Sequence, residues 1–257
     1  MAFDVRCERD GHVATITIDN PPVNALHPDV AAALAEHLEA LGDDPEVRAI
    51  VLTAAGRHFM AGGDIRFFES LDRHRAERYV LAIQKMQDSI ATLPQPVIAA
   101  INGSALGGGC ELAMACDIRI ADEQATFGQP EVSLGLIPGA GGTQNLARLV
   151  PVGRAKRLLF TGDRIDAGEA LAIGLVDEVV PAGTCVQHAT ELAVRIARNA
   201  PLAVSAAKRA VNLGLQMSLL DAHRLEASLF VPLVETADFR EGVRAFLEKR
   251  PATFRRE

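Results

Sequence analysis

The 257-residue chain has no apolar run approaching the roughly 18 residues that cross a bilayer. Its N-terminus, MAFDVRCERDGHV, is polar, mixes acids with bases and carries no secretory apolar core. Together these absences predict a cytoplasmic protein that does not enter a membrane. Cys7, Cys110, Cys116 and Cys185 form no C-x-x-C pair, and no histidine stands at zinc-finger spacing, so the cysteines read as buried or free thiols in a reducing compartment. Basic charge is also short: the net charge is −7, the opposite of the balance expected of a nucleic-acid binder. No Gly-Lys-Ser/Thr is present, which excludes a phosphate-binding P-loop. The stretch Gly139-Ala140-Gly141-Gly142-Thr143-Gln144 begins like a dinucleotide fingerprint. However, Gln144 stands where the last glycine belongs, and Pro138 breaks the strand that should precede it. Without G-x-S-x-G, HExxH or a suitable histidine pair, serine-hydrolase and metal-assisted chemistry have no visible residues.

What is present is enough apolar residue, 49 %, for a real core, in a chain of a length that suits one large domain. Alternating His12–Asp19 reads as a strand, closed by Pro21-Pro22. Pro28 opens a helix to about Leu41, with Ala31, Leu34, Leu38 and Leu41 on one face. Arg48–Thr53 and Val97–Ile101 read as buried strands flanking a long helix over 72–93. A helix over Cys110–Cys116, strands at Asp117–Ala121, 125–127 and near Val179, and helices at about 142–149, 153–160 and 166–173 follow. From Thr184 on, the chain reads as helical. The class is therefore α/β, with a strand–helix core over 1–200 and a helical region over 201–257.

Function concentrates in Asn102–Thr143, which holds nine of the 21 glycines. Gly107-Gly108-Gly109 lies between a strand and a helix start, where unpaired N–H groups and the helix dipole favour negative charge. Gly62-Gly63-Asp64 follows another strand and is expected at the same sheet edge, so the amides of Gly63 and Gly108 can share one oxygen as an oxyanion hole. Each cluster also suits an ordinary glycine turn. Glu111 falls in the first turn behind Gly108, where the dipole of its own helix is expected to keep it ionised. Glu131 is placed in an apolar loop, where burial would raise its pKa. Two carboxyls in unlike surroundings can divide acid and base roles. A generic first-turn acid and a solvent-facing loop acid are the alternatives, and spacing alone does not bring the two together.

Phe59–Ile65 (FMAGGDI), Ile98–Ile118 (IAAINGSALGGGCELAMACDI), Phe127–Gln144 (FGQPEVSLGLIPGAGGTQ) and Phe160–Ile173 (FTGDRIDAGEALAI) together resemble the enoyl-CoA hydratase/isomerase, or crotonase, superfamily. The resemblance runs from about Val13 to Phe254. It implies a spiral of ββα repeats with a helical C-terminal region that mediates trimers, commonly stacked as hexamers. It implies an acyl-CoA thioester as substrate and no cofactor. Gly63 and Gly108 take the oxyanion-hole positions, and Glu111 and Glu131 match the two acids that hold a water. Gly139 matches a glycine whose N–H places Glu131 or that water. Ala61, Gly63 and Ile65 match the segment that lines the adenine site, and with them Asp64 of the A-G-x-D motif is expected to bind the acyl-CoA. Arg66 stands where hydratases often carry lysine near the CoA phosphates, keeping the charge and not the shape. Phe246 and Lys249 match a C-terminal segment that completes the CoA site, from a neighbouring subunit in some members. Both acids being present points to hydration of a trans-2-enoyl-CoA. A Δ3,Δ2-enoyl-CoA isomerase is the alternative, and the acidic balance weighs against an RNA-binding homologue. Acyl-chain length depends on walls around 67–90 and 132–136 that the sequence leaves unread.

Overall fold

The computed structural model describes residues 3–257. The chain opens with a hairpin, β1 (Asp4–Asp10) against β2 (Val13–Asp19), followed by α1 (Pro28–Asp43). Strands then come in pairs: β3 (Ala49–Ala54) with β4 (His58–Ala61), then α2 (Ile65–Phe68) and α3 (Arg73–Thr92). The second pair is β5 (Val97–Ile101) with β6 (Ser104–Leu106), followed by α4 (Gly108–Ala115). The third is β7 (Ile118–Asp122) with β8 (Thr126–Gly128), followed by a 3-10 turn over Pro130–Leu134, α5 (Gly142–Leu149) and α6 (Val152–Thr161). The chain continues through β9 (Arg164–Asp166), α7 (Ala167–Ala172), β10 (Glu178–Val180), α8 (Cys185–Ala197), α9 (Pro201–Gly214) and α10 (Leu219–Phe230). A 3-10 turn over Val231–Glu235 and α11 (Ala237–Glu248) complete the described order.

The first strand of each pair joins a six-stranded sheet, β1-β2-β3-β5-β7-β10, and the second joins a four-stranded sheet, β4-β6-β8-β9. Each turn of the chain thus lays one strand in each sheet, the ββα spiral. The larger sheet is buried on both faces. Ile50 and Leu52 point into the main core with Ile16, Ile18 and Leu34, while Ala49 and Val51 face Ala189, Ala193 and Ala197 of α8. Those alanines recur every four residues, forming a stripe of small side chains along which α8 lies close to the sheet.

Four strands, β1, β4, β6 and β9, are absent from the sequence reading. β1 is charged and mostly exposed, an edge strand held by backbone pairing to β2, so it carries no apolar signal. β4 and β6 have four and three residues, too short to show alternation, and were hidden inside the glycine motifs. The helix expected at 166–173 begins at Ala167 because Asp166 ends β9 and caps α7, accepting from the Glu169 N–H at 2.7 Å. The four cysteines are free, three of them buried.

The C-terminal helices are tied to the core by one buried ion pair. Lys208 Nζ on α9 donates to Asp117 Oδ2 at 2.8 Å and to the carbonyls of Ile90 and Gln95 at 2.8 and 2.9 Å. Asp117 in turn accepts from the Val97 N–H at 2.7 Å. Among the described residues no helix is long and apolar enough to cross a membrane.

Candidate active site

The small sheet builds the site. β4, β6 and β8 run parallel, with Ala61 opposite Leu106 and Leu106 opposite Gly128. Parallel strands release their chains at one edge, so Gly62-Gly63, Gly107-Gly108 and Gln129-Pro130-Glu131 emerge side by side. The shared edge expected for the two glycine clusters is there, although it belongs to the second sheet.

Each glycine of the triple is required by a different contact. Gly107 has φ +50°, and a Cβ there would lie 2.5 Å from Glu131 Oε1. A Cβ on Gly108 would lie 2.9 Å from Leu26, and one on Gly109 would collide with the Met60 carbonyl. Gly108 is the first residue of α4, so its amide has no acceptor within the helix. Gly63 forms a parallel bridge with Leu26: Leu26 N–H donates to the Gly62 carbonyl at 2.8 Å, and Asp64 N–H donates to the Leu26 carbonyl at 3.2 Å. Consecutive peptides in extended chain point opposite ways, so the Gly63 N–H turns away from Leu26.

Glu111 and Glu131 reach the same cavity, which is also lined by Leu26, Ala61, Gly62, Gly63, Gly107, Gly108, Gly139 and Ala140. α3 supplies Ala76, Tyr79, Val80 and Ile83 to the wall, and the segment after Glu131 supplies Leu134, Leu136 and Ile137. The cavity measures about 200 Å³. A larger apolar groove, about 480 Å³, lies among α9, α10 and α11 and contains neither glutamate.

The two acids sit in unlike surroundings. Glu111 is 3 % exposed, and its Oε1 accepts two backbone bonds at 2.8 Å, from Ala140 N–H and Gly142 N–H. Gly142 is the first residue of α5, so the donors that favour its ionised form come from α5 and its approach, not from its own helix α4. The expectation that the α4 dipole keeps Glu111 ionised is corrected in sign. Burial is the larger effect and raises its pKa, while the two amides work against it. Glu131 lies in the 3-10 turn rather than a plain loop, and its Oε2 is buried with no hydrogen-bond partner in the protein. Desolvation, with the Glu111 charge adding to it, pushes Glu131 up to about 7.

The remaining sequence-stated positions divide. Ala61 and Ile65 line the cavity, and Ile65 is 54 % exposed at its mouth. Asp64 does not line it. Its carboxylate caps α2 instead, accepting from Arg66 N–H at 2.9 Å and Phe67 N–H at 3.2 Å. The Arg66 side chain is exposed beside the mouth. Gly139 lines the cavity, its carbonyl held by Gln84 Nε2 at 2.7 Å. The amides next to it that bond a carboxylate, Ala140 and Gly142, hold Glu111 and not Glu131. Phe246 and Lys249 are not at this cavity: Phe246 is 84 % exposed on α11, and Lys249 ends that helix in the left-handed conformation. Sequence reasoning missed Tyr79 and also Gln129, which is 1 % exposed with both amide atoms unpartnered in the protein. A Cβ on Gly142 would lie 2.9 Å from both Gln129 Nε2 and Glu111 Oε1. Tyr79 belongs to no motif, while Gln129 stands two residues before Glu131 in the FGQPE stretch, the one signal that could have marked it.

Comparison with known proteins agrees with this geometry. Residues 8–257 match the family model described as enoyl-CoA hydratase/isomerase. The chain is 44 % identical to a short-chain-enoyl-CoA hydratase of Clostridium acetobutylicum, covering 96 % of this chain and 95 % of that one. It is also 44 % identical to a crotonyl-CoA hydratase of Syntrophomonas wolfei, covering 99 % of each. Among solved structures, an enoyl-CoA hydratase from Bacillus anthracis superimposes with a TM-score of 0.96 at 40 % identity, over 98 % of this chain and 99 % of that one. From its strand-pair spiral to its two glutamates, the chain belongs to the enoyl-CoA hydratase/isomerase family.

Proposed function

We propose that the enzyme adds water reversibly across the C2=C3 bond of a trans-2-enoyl-CoA, giving a 3-hydroxyacyl-CoA. What supports this is that two carboxyls in unlike surroundings line one cavity together with Gly63 and Gly108. The thioester oxygen lies between the Gly63 and Gly108 N–H groups, which stabilise the enolate-like charge that develops on it. Losing one such donor typically costs about 10²–10³ in rate. Glu111, whose two amide donors favour its ionised form, takes a proton from water as the oxygen bonds to C3. Glu131, pushed up to about 7, carries the proton that bonds to C2. Water is consumed whole, and proton exchange with solvent resets the pair. The site residues need no cofactor for this chemistry.

The test is loss of the conjugated-thioester absorbance on adding crotonyl-CoA, with Glu111→Gln and Glu131→Gln alongside. Loss in the parent that both substitutions abolish supports the reading. Rapid conjugation of a 3-enoyl-CoA with slow hydration of the 2-enoyl isomer would replace hydration by isomerisation.

The active assembly we propose is a homotrimer or a pair of trimers. Its support is the apolar groove among α9–α11, with Phe230 63 %, Phe246 84 % and Leu247 75 % exposed in the single chain. In that assembly Phe246 and Lys249 complete a neighbour's CoA site, and Arg66 meets the CoA phosphates. A solution mass equal to one 27.4 kDa chain would refute the assembly. We place the enzyme in the cytoplasm, supported by its four free thiols.

A further inference from the structure

The chain contains one tyrosine and no tryptophan, and that tyrosine lies in the wall of the cavity. Ala76, Tyr79, Val80 and Ile83 fall at i, i+3, i+4 and i+7 on α3, so helical phase turns all four toward the site. Ile83 is 1 % exposed, so this face runs from the mouth straight into the core. Tyr79 is the bulkiest group on it and the most constrained. Its hydroxyl donates to the Leu26 carbonyl at 3.2 Å, the same carbonyl that receives the Asp64 N–H. Its ring meets Phe68 edge-on, with centroids 5.5 Å apart at 80°, and Phe67 at 5.3 Å. Phe67 is itself fixed by the His27 ring at 5.2 Å and by Arg75, whose guanidinium lies 5.6 Å from the ring centre.

This cluster abuts the oxyanion-hole peptide. A Cβ on Gly63 would lie 2.5 Å from Phe68 Cζ and 3.1 Å from Tyr79 Oη. Aliphatic tail and aromatic wall therefore compete for the same space next to the reacting carbons. Because Tyr79 is anchored by both a hydrogen bond and ring contacts, pushing it aside loosens Leu26 and with it the bridge that holds Gly63.

Resting on the hydratase reading, we propose that Phe68 and Tyr79 form the wall that ends the acyl site and restrict the enzyme to short-chain 2-enoyl thioesters. Phe68 limits length. Tyr79 limits length and, through Leu26, also positions the Gly63 peptide.

The test uses the full chain with trans-2-enoyl-CoA substrates of four, six, eight and ten carbons. The parent loses kcat/KM steeply beyond the shortest members. Phe68→Ala raises the eight-carbon to four-carbon ratio of kcat/KM by about tenfold or more, since one methylene in an apolar pocket is worth 10–200-fold. Tyr79→Phe keeps the ring, so the chain-length profile stays and kcat falls with KM little changed. Should Phe68→Ala fail to fold, Phe68→Leu shifts the ratio the same way by less. Binding is read separately with saturated butyryl- and octanoyl-CoA, using tyrosine emission, which in this protein reports Tyr79 alone. Equal turnover of all four lengths by the parent, or an unchanged ratio in the folded Phe68 variant, overturns the wall and leaves hydration standing. No hydration of any substrate, with saturated-thioester binding that still shifts toward octanoyl-CoA in Phe68→Ala, overturns the hydratase reading and leaves the wall standing.

Discussion

Replacing Glu131 with glutamine should abolish turnover and stabilise the protein, by an amount that grows as pH rises from 4.5 and is complete above about 7. The folded state holds the Glu131 proton up to about pH 7, against an ordinary value of 4.5, because burial and the Glu111 charge both oppose ionisation. Between those values the folded state binds more protons than the unfolded state, so stability falls as pH rises. The favourable contribution is whole below the unfolded value and is lost as pH passes about 7. At about 1.4 kcal/mol per pH unit the interval is worth about 3 kcal/mol. Glu131 is only half-buried, and solvent screening trims this to about 1–2 kcal/mol. Glutamine keeps the shape without the charge. At pH 8.5 the variant should therefore melt roughly 2–8 °C above the parent for a chain of this size, and at pH 4.5 the two should coincide. Parallel thermal melts at the two pH values read this directly, with crotonyl-CoA hydration measured on the same samples. The catalytic loss should be at least about 10²-fold, the usual range for a removed acid or base. An equal melting shift at both pH values, or a less stable variant at pH 8.5, would show that Glu131 carries no ionisation penalty and would refute the division of roles built on it.

Three further outcomes follow from the same geometry. Hydration needs Glu131 protonated, so kcat/KM should fall about tenfold per pH unit above about 7, and a flat profile from pH 6 to 9 in a folded enzyme would contradict this. Gly142→Ala puts a Cβ 2.6 Å from Pro138 and 2.9 Å from Glu111 Oε1. Displacing that carboxyl should cost about 10² in kcat, with little change in acyl-CoA binding measured by tyrosine emission. Lys208→Ala leaves Asp117 without its cation beneath α9, and should cost about 3 kcal/mol in chemical denaturation while hydration per folded molecule is retained.

The residues that carry chemistry were legible wherever they sat in a motif at a chain reversal, and much less so where they belonged to a wall. Glu111 and Glu131 are 20 positions apart, and the sequence offered no way to bring them together. The structure does so because β6 and β8 pair in register and Glu131 returns onto Gly107, where no side chain blocks it. The acid anchors were mis-sourced for a similar reason. Glu111 lies in the first turn of α4, so local reasoning credits α4, yet its donors lie about 30 residues later at the start of α5. Tyr79 sits on a helix whose charged face dominates its composition, so its inward phase means little until the cavity opposite it is known. Phe246 and Lys249 were placed by resemblance alone, and within one chain their helix borders a different groove.

Among the described residues, eight buried side-chain atoms have no partner in the protein, and four of them belong to groups in or beside the site. Buried side-chain atoms without a partner in the protein include both amide atoms of Gln129, Gln87 Nε2 and Glu131 Oε2. Gln129 borders Glu111 across Gly142, and Gln87 lies within 3.5 Å of where a Gly141 Cβ would stand. Groups of this kind cost roughly 1–3 kcal/mol each when left unmet, so a fold selected for stability alone would replace them with apolar residues. Gln129 and Gln87 flank the Gly141-Gly142 turn whose amide holds Glu111, while the other partnerless atoms belong to Arg48, His58, Gln95 and Asn102. Polar side chains this close to Glu111 can answer the charge and proton changes of that carboxyl during turnover. These polar groups gather at the site where burial also pushes Glu131 up to about 7, so local polarity and a raised acid meet at one cavity.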